Sequence, residues 1–176
     1  TVPGAAYLPA AAYAELGFIV VVIDGRGTAF RSRAFRDESY GKIHTASNLE
    51  DHIAGIRQLA ERYPYMDLNR VGITSGVGGC NAPVYGLLKY PEFYKVGTAC
   101  STYDIRLACA SMIERWQSLP RDQKSDCEQS LLGTLAANLQ GKLLLVHGML
   151  DHSFHPANVF QLVDALIREN KDFDLL

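Results

Sequence analysis

The residues best suited to chemistry lie in Arg70-Val71-Gly72-Ile73-Thr74-Ser75-Gly76-Val77-Gly78-Gly79-Cys80-Asn81-Ala82. A short apolar run leads into a glycine-rich turn and then into helix-forming residues. This pattern presents a nucleophile at a sharp strand-to-helix bend, where the residues two before and two after it must be small because the backbones converge. Centred on Val77, the flanking Ser75 and Gly79 satisfy that steric rule. Valine, however, carries no atom that can attack a carbonyl. Ser75 is a poor substitute, since Ile73 and Val77 flank it and both are β-branched. Cys80 has Gly78 and Ala82 at the right distance but sits three residues deeper toward the helix, and a packed thiol is the better reading. The backbone N–H of Gly78 would be the oxyanion donor of such a turn.

The other candidates lie at the ends of apolar runs. Asp24 follows Phe18–Ile23, Ser101 follows Lys95–Cys100, and Asp151 follows Lys142–His147 and Gly148-Met149-Leu150. An aspartate there orients a histidine by accepting from Nδ1–H in a nucleophile triad, or it caps a nearby turn. Asp151, His152 and His155 have spacing that metal ligands could use, but on a strand-to-helix loop they read as a polar rim, and no metal or cofactor is expected. His147 reads as a satisfied core histidine, and His44 and His52 as surface residues. Arg26, Arg31 and Arg33 could grip a carboxylate; pairing with Asp37 or Glu38 is the simpler expectation. Asp24-Gly25-Arg26-Gly27 is half a dinucleotide fingerprint, without the third glycine and the helix that nucleotide binding needs.

These residues must be positioned by a regular scaffold. Ala10–Leu16 is helix-forming and stops at Gly17. Phe18–Ile23 is a continuous β-branched run, predicted to be a parallel strand covered on both faces. Thr28–Thr45 is a polar excursion. Ser47-Asn48-Leu49-Glu50 reads as a capping box for a helix with Leu49, Ile53, Ile56, Leu59 and Tyr63 on one face, ended by Pro64. Strands are predicted at Val71–Thr74, Lys95–Cys100 and Lys142–His147, with another starting at Phe173. Helices are predicted at Val84–Tyr90, around Ile105–Trp116, near Leu131–Leu139, and from Pro156 at N1 to about Asn170 with Val159, Leu162, Val163 and Leu166 inward. Strands alternating with helices imply an α/β fold with a doubly wound, mostly parallel sheet and helices on both faces, whose chemistry gathers beyond the carboxyl ends of the strands.

With 176 residues, 48% of them hydrophobic, the chain is the size of a single domain with a substantial core. A net charge of −2 gives no electrostatic reason to bind nucleic acid, and no run is long enough to span a membrane. The four cysteines lack metal spacing and read as free thiols, which suits a reducing compartment.

Taken together, Gly17 to Thr28, Tyr40-Gly41-Lys42, Asp67 to Thr74, Tyr90 to Gly97 and Leu144 to Gly148 resemble the catalytic domain of the prolyl oligopeptidase family, in its dipeptidyl peptidase IV branch. The resemblance implies an α/β-hydrolase fold, incomplete here, over residues 1–176 truncated at both ends. It also implies an ancestral activity releasing N-terminal dipeptides, often after proline, from a peptide substrate by a Ser, Asp and His triad without a metal, and a possible homodimer. In the family pattern Gly-x-Ser-x-Gly-Gly the serine falls on Val77, Ser75 replaces the first glycine and Cys80 the last. The triad aspartate falls on Asp151, the triad histidine lies beyond Leu176, and the tyrosine assisting the oxyanion hole lies before Thr1. Pro83 stands where the helix after the turn should be underway, a position expected to cost about 3 kcal/mol. The expectation is a serine-peptidase-type hydrolase domain that is inactive as it stands; the alternative is a non-catalytic domain that binds a peptide or a protein.

Overall fold

The computed structural model describes residues 9–40, 48–75, 81–102 and 132–176. Helix α1 spans Pro9–Glu15 and ends as composition predicts. Gly17, at φ 88°, takes the left-handed position. Its N–H donates to Ala14 O at 2.9 Å, and the Phe18 N–H to Tyr13 O at 3.2 Å, the paired bonds of a Schellman cap.

The segment after this cap departs from expectation. Residues 18–25 form no strand, and Phe18 and Val22 are 62% and 71% exposed. A β-branched run fits a pleated, half-buried surface, but a strand also needs a ladder partner for its backbone groups. The described sheet stops at the strand Val71–Ser75, and no described strand pairs with the run. Ile23 packs close against Gly55, where a Cβ would stand 2.7 Å from Ile23 Cδ1.

The excursion contains a short helix α2, Arg33–Asp37, capped by the Ser32 hydroxyl accepting from Phe35 N–H at 3.2 Å. Helix α3, Leu49–Arg62, does not start on the predicted capping box. Ser47 lies outside the described residues, and the N-cap is Asn48 at φ 77° with no side-chain cap bond. Glu50, which would have reached back to the cap, instead accepts the Tyr90 hydroxyl. Leu49 and Ile53 are buried as predicted, whereas Tyr63 is exposed at the helix end and tilts against Tyr65.

Strand β1 is Val71–Ser75, helix α4 Asn81–Lys89 and strand β2 Tyr94–Cys100. Pro83 does not break α4. It is buried in the first described turn, where a missing N–H matters least. The helical stretch predicted near Leu131–Leu139 is a 3₁₀ helix, Leu132–Asn138. Strand β3 is Lys142–Val146, helix α5 is Ala157–Arg168 with Pro156 as its N-cap, one residue outside the predicted N1 position, and β4 is Asp174–Leu175. The predicted helix around Ile105–Trp116 lies outside the described residues.

The four strands lie in the order β1-β2-β3-β4, every pair parallel. The core forms where α4 and α5 meet this sheet. Val84, Leu87 and Leu88 of α4, Leu143 and Leu145 of β3, and Val159, Leu162 and Leu166 of α5 are each at most 4% exposed. Close approach of α4 depends on Gly97, where a Cβ would stand 2.7 Å from Leu87 Cδ1. Leu145, fully buried in the inner strand β3, belongs to this core, and Leu145→Ala is expected to lower unfolding stability by about 2–5 kcal/mol, read from denaturant melts. Among the described residues no helix is long and apolar enough to cross a membrane.

Candidate functional site

Register brings the ends of β2 and β3 side by side. Cys100 pairs with Val146, and the next residue, Ser101, donates its N–H to Val146 O at 2.9 Å. Ser101 thus faces the loop that follows β3. That loop turns at once: Asp151 N–H donates to Gly148 O at 3.0 Å, and Asp151 Oδ1 accepts from the Ser153 and Phe154 N–H groups, both at 2.9 Å. An aspartate folding its own downstream backbone in this way is a recurring loop device. The second oxygen, Oδ2, accepts from Ser101 Oγ at 3.0 Å.

The result is a carboxylate with three donors and no histidine among them in the described residues. Hydrogen bonds hold the Asp151 carboxyl below its usual range, the Phe154 N–H contributing most, with the Ser101 hydroxyl and Ser153 N–H adding to it against the cost of desolvation. Of the residues predicted beyond strand ends, the structure brings Ser101 and Asp151 together. Asp24 lies in the extended segment before Arg26. Val77, Gly78 and Cys80 lie outside the described residues, between the end of β1 at Ser75 and the start of α4 at Asn81.

The histidines do other work. His147, 8% exposed at the end of β3, has Nε2 2.8 Å from Phe154 O. A carbonyl only accepts, so Nε2 donates to it, and Nδ1 is buried without a hydrogen-bond partner among the described residues. The predicted satisfied core histidine is therefore satisfied on one side only, and it ties down the far end of the Asp151 loop. His155 Nδ1 accepts the Ala157 N–H at 3.1 Å at the start of α5. His44 lies outside the described residues. Among the described residues no three His, Cys, Asp or Glu side chains group as metal ligands would. Cys100 is a free, partly buried thiol, and the other three cysteines lie outside the described residues.

The arginines are engaged as structural partners, though not all as predicted. Arg26 pairs with Asp51 of α3: Nε lies 2.9 Å and a terminal nitrogen 2.9 Å from the two carboxylate oxygens, and the Arg26 backbone N–H donates to Oδ2 at 2.9 Å. The reason is proximity in space across 25 residues, because the Gly25 turn packs against Asn48, Asp51 and His52. Arg33 does pair with Asp37 at 3.2 Å, and Arg31 lies over the Phe35 ring.

Arg26 depresses the Asp51 carboxyl just as the loop amides depress Asp151. A carboxyl lowered by folding stabilises the folded chain above its unfolded value of about 3.9, and that stabilisation disappears as pH falls through the folded value. Melting temperature is therefore expected to hold steady from about pH 7 to 5 and fall below about pH 4. Asp51→Asn should lower it at neutral pH and flatten the acid limb, as followed by circular dichroism melts across pH.

A parallel sheet with helices between successive strands, and polar side chains gathered past the strands' carboxyl ends, defines a doubly wound α/β architecture. The chain belongs to the prolyl oligopeptidase family, whose model matches residues 7–176. It is 30% identical over 179 aligned residues to human dipeptidyl peptidase 8, covering 98% of this chain and 20% of that protein. It is 29% identical to rat inactive dipeptidyl peptidase 10 over 89% of this chain and 20% of that one. Among solved structures it is similar to Porphyromonas gingivalis dipeptidyl peptidase 4, with a TM-score of 0.77 and 29% identity over 87% of this chain and 22% of that one. The chain thus spans about a fifth of the length of the curated relatives it matches. Its fold is that of the dipeptidyl peptidase it is similar to.

Proposed function

We propose that this domain descends from a peptidase releasing N-terminal dipeptides and that, as it stands, it does not hydrolyse its peptide. The observation carrying this reading is Val77, a hydrocarbon side chain in the sequence between β1 and α4 where the family pattern has its serine. Two further features support it. Asp151, the triad-acid position, draws its hydrogen bonds from Ser101 and loop amides, and the nearby His147 spends its proton on Phe154 O. A relative described as an inactive dipeptidyl peptidase belongs to the same group. Gly78 retains a backbone N–H that can hold a peptide carbonyl without attack on it. The region beyond the strand ends then serves to bind a peptide N-terminus or a protein segment.

The test pairs turnover with binding. Dipeptidyl aminocoumarin substrates with proline in the second position should show no release above background, while a non-cleaved peptide of the same sequence gives a calorimetric binding isotherm. Steady release by the purified chain would overturn the inactive reading. Heat-silent titration would remove the peptide-binding one.

A further inference from the structure

The exit of β2 carries two unfavourable features in adjacent residues. Ser101 adopts φ 54°, in the left-handed region that non-glycine residues rarely occupy. Thr102, only 2% exposed, buries a hydroxyl that finds no hydrogen-bond partner among the described residues. Strain and an orphaned polar atom persist where the surrounding structure gains something by them, and such places are often functional. The visible gain is the bond from Ser101 Oγ to Asp151 Oδ2 at 3.0 Å, reinforced by the Ser101 N–H to Val146 O. A residue continuing β2 in extended geometry would aim its side chain elsewhere; the left-handed turn directs this hydroxyl at the carboxylate across the gap between the two strand ends.

We propose that Ser101 is a positioning residue of the site, fixing the orientation of the Asp151 carboxylate from the β2 side while the Ser153 and Phe154 amides fix it from the loop side. This rests on the reading of Asp151 as the triad-acid position. It assigns the β2 exit a role that neither the nucleophile turn nor the acid loop supplies: Oδ2 is held from β2 and Oδ1 from the loop after β3, so the carboxylate is oriented with no imidazole of the described residues hydrogen-bonded to it. The titratable side chain acting on this carboxylate from the end of β3 is His147.

The test follows the Asp151 carboxyl by ¹³C NMR in the full chain, its signal assigned by its loss in Asp151→Asn. Two substitutions separate the hydroxyl from the strain. Ser101→Ala removes the hydroxyl and keeps a side chain at positive φ; Ser101→Gly removes both and relaxes the backbone. The Asp151 midpoint is expected to move up by about half a pH unit or more, equally in the two variants. Their melting temperatures should diverge, with the glycine variant the more stable. A midpoint unmoved in both variants, or one that shifts only in the less stable variant, overturns the proposal. Neither result depends on whether the domain hydrolyses peptides, which the turnover assay reads separately.

Discussion

Hydrolysis of a dipeptidyl substrate by this chain is expected to run on the order of 10⁶-fold below that of a complete serine triad, and Val77→Ser alone does not recover it. Triad residues act as a unit, so restoring one member of an incomplete set returns little. A serine at position 77 needs an imidazole to take its proton, and among the described residues none is hydrogen-bonded to Asp151. His147 is committed through Nε2 to Phe154 O, and His155 accepts the Ala157 N–H. Initial rates for the parent and Val77→Ser chains should therefore agree within about tenfold. A rise of several orders of magnitude would mean that a histidine of this chain reaches the site.

The second large effect concerns the fold that holds the site. Gly141 precedes β3, and a Cβ there would stand 2.4 Å from the Lys95 carbonyl oxygen and 2.9 Å from Leu87 Cδ2. The first obstacle is backbone of β2, so relief requires β2 and β3 to shift apart just where α4 seats on them. Gly141→Ala is expected to cost about 3 kcal/mol, lowering the melting temperature by roughly 6–12 °C. Gly148 offers the contrast: nothing lies within 4 Å of its Cβ position, although it opens the Asp151 loop. Gly148→Ala should stay within about 0.5 kcal/mol of the parent. Matched losses in the two variants would show that close approach of the strands is not what demands glycine at 141.

The sequence makes much of this scaffold legible because several local signals agree with the packing. Val159, Leu162 and Leu166 share a helical face and are buried on it, and Gly17 stops α1 through a left-handed cap. Strands β1, β2 and β3 begin and end within about a residue of where apolar runs place them. The failures share a cause: each depends on a partner distant in sequence. Phe18–Ile23 has strand composition, yet a ladder needs a neighbour that composition does not specify. Glu50 has capping-box spacing, but the hydroxyl of Tyr90, forty residues on, claims its carboxylate. Arg26 likewise finds Asp51 across the Gly25 turn.

The site was legible to the same extent. Asp151 stands out as an acid past a strand end, and Ser101 as a polar residue past another. Their mutual hydrogen bond is not visible, because it requires the Cys100–Val146 register and a left-handed φ at a serine. His147 reads correctly as a core histidine, but its link to Phe154 O follows only from the turn that Asp151 builds.

The central claim is that no activated nucleophile stands at position 77. Intact-mass spectrometry of the purified chain after exposure to a fluorophosphonate, which captures an activated serine covalently, tests it most directly. The account predicts an unchanged mass, whereas stoichiometric addition of one phosphonyl group, mapped by peptide sequencing to a serine of this chain, would contradict it.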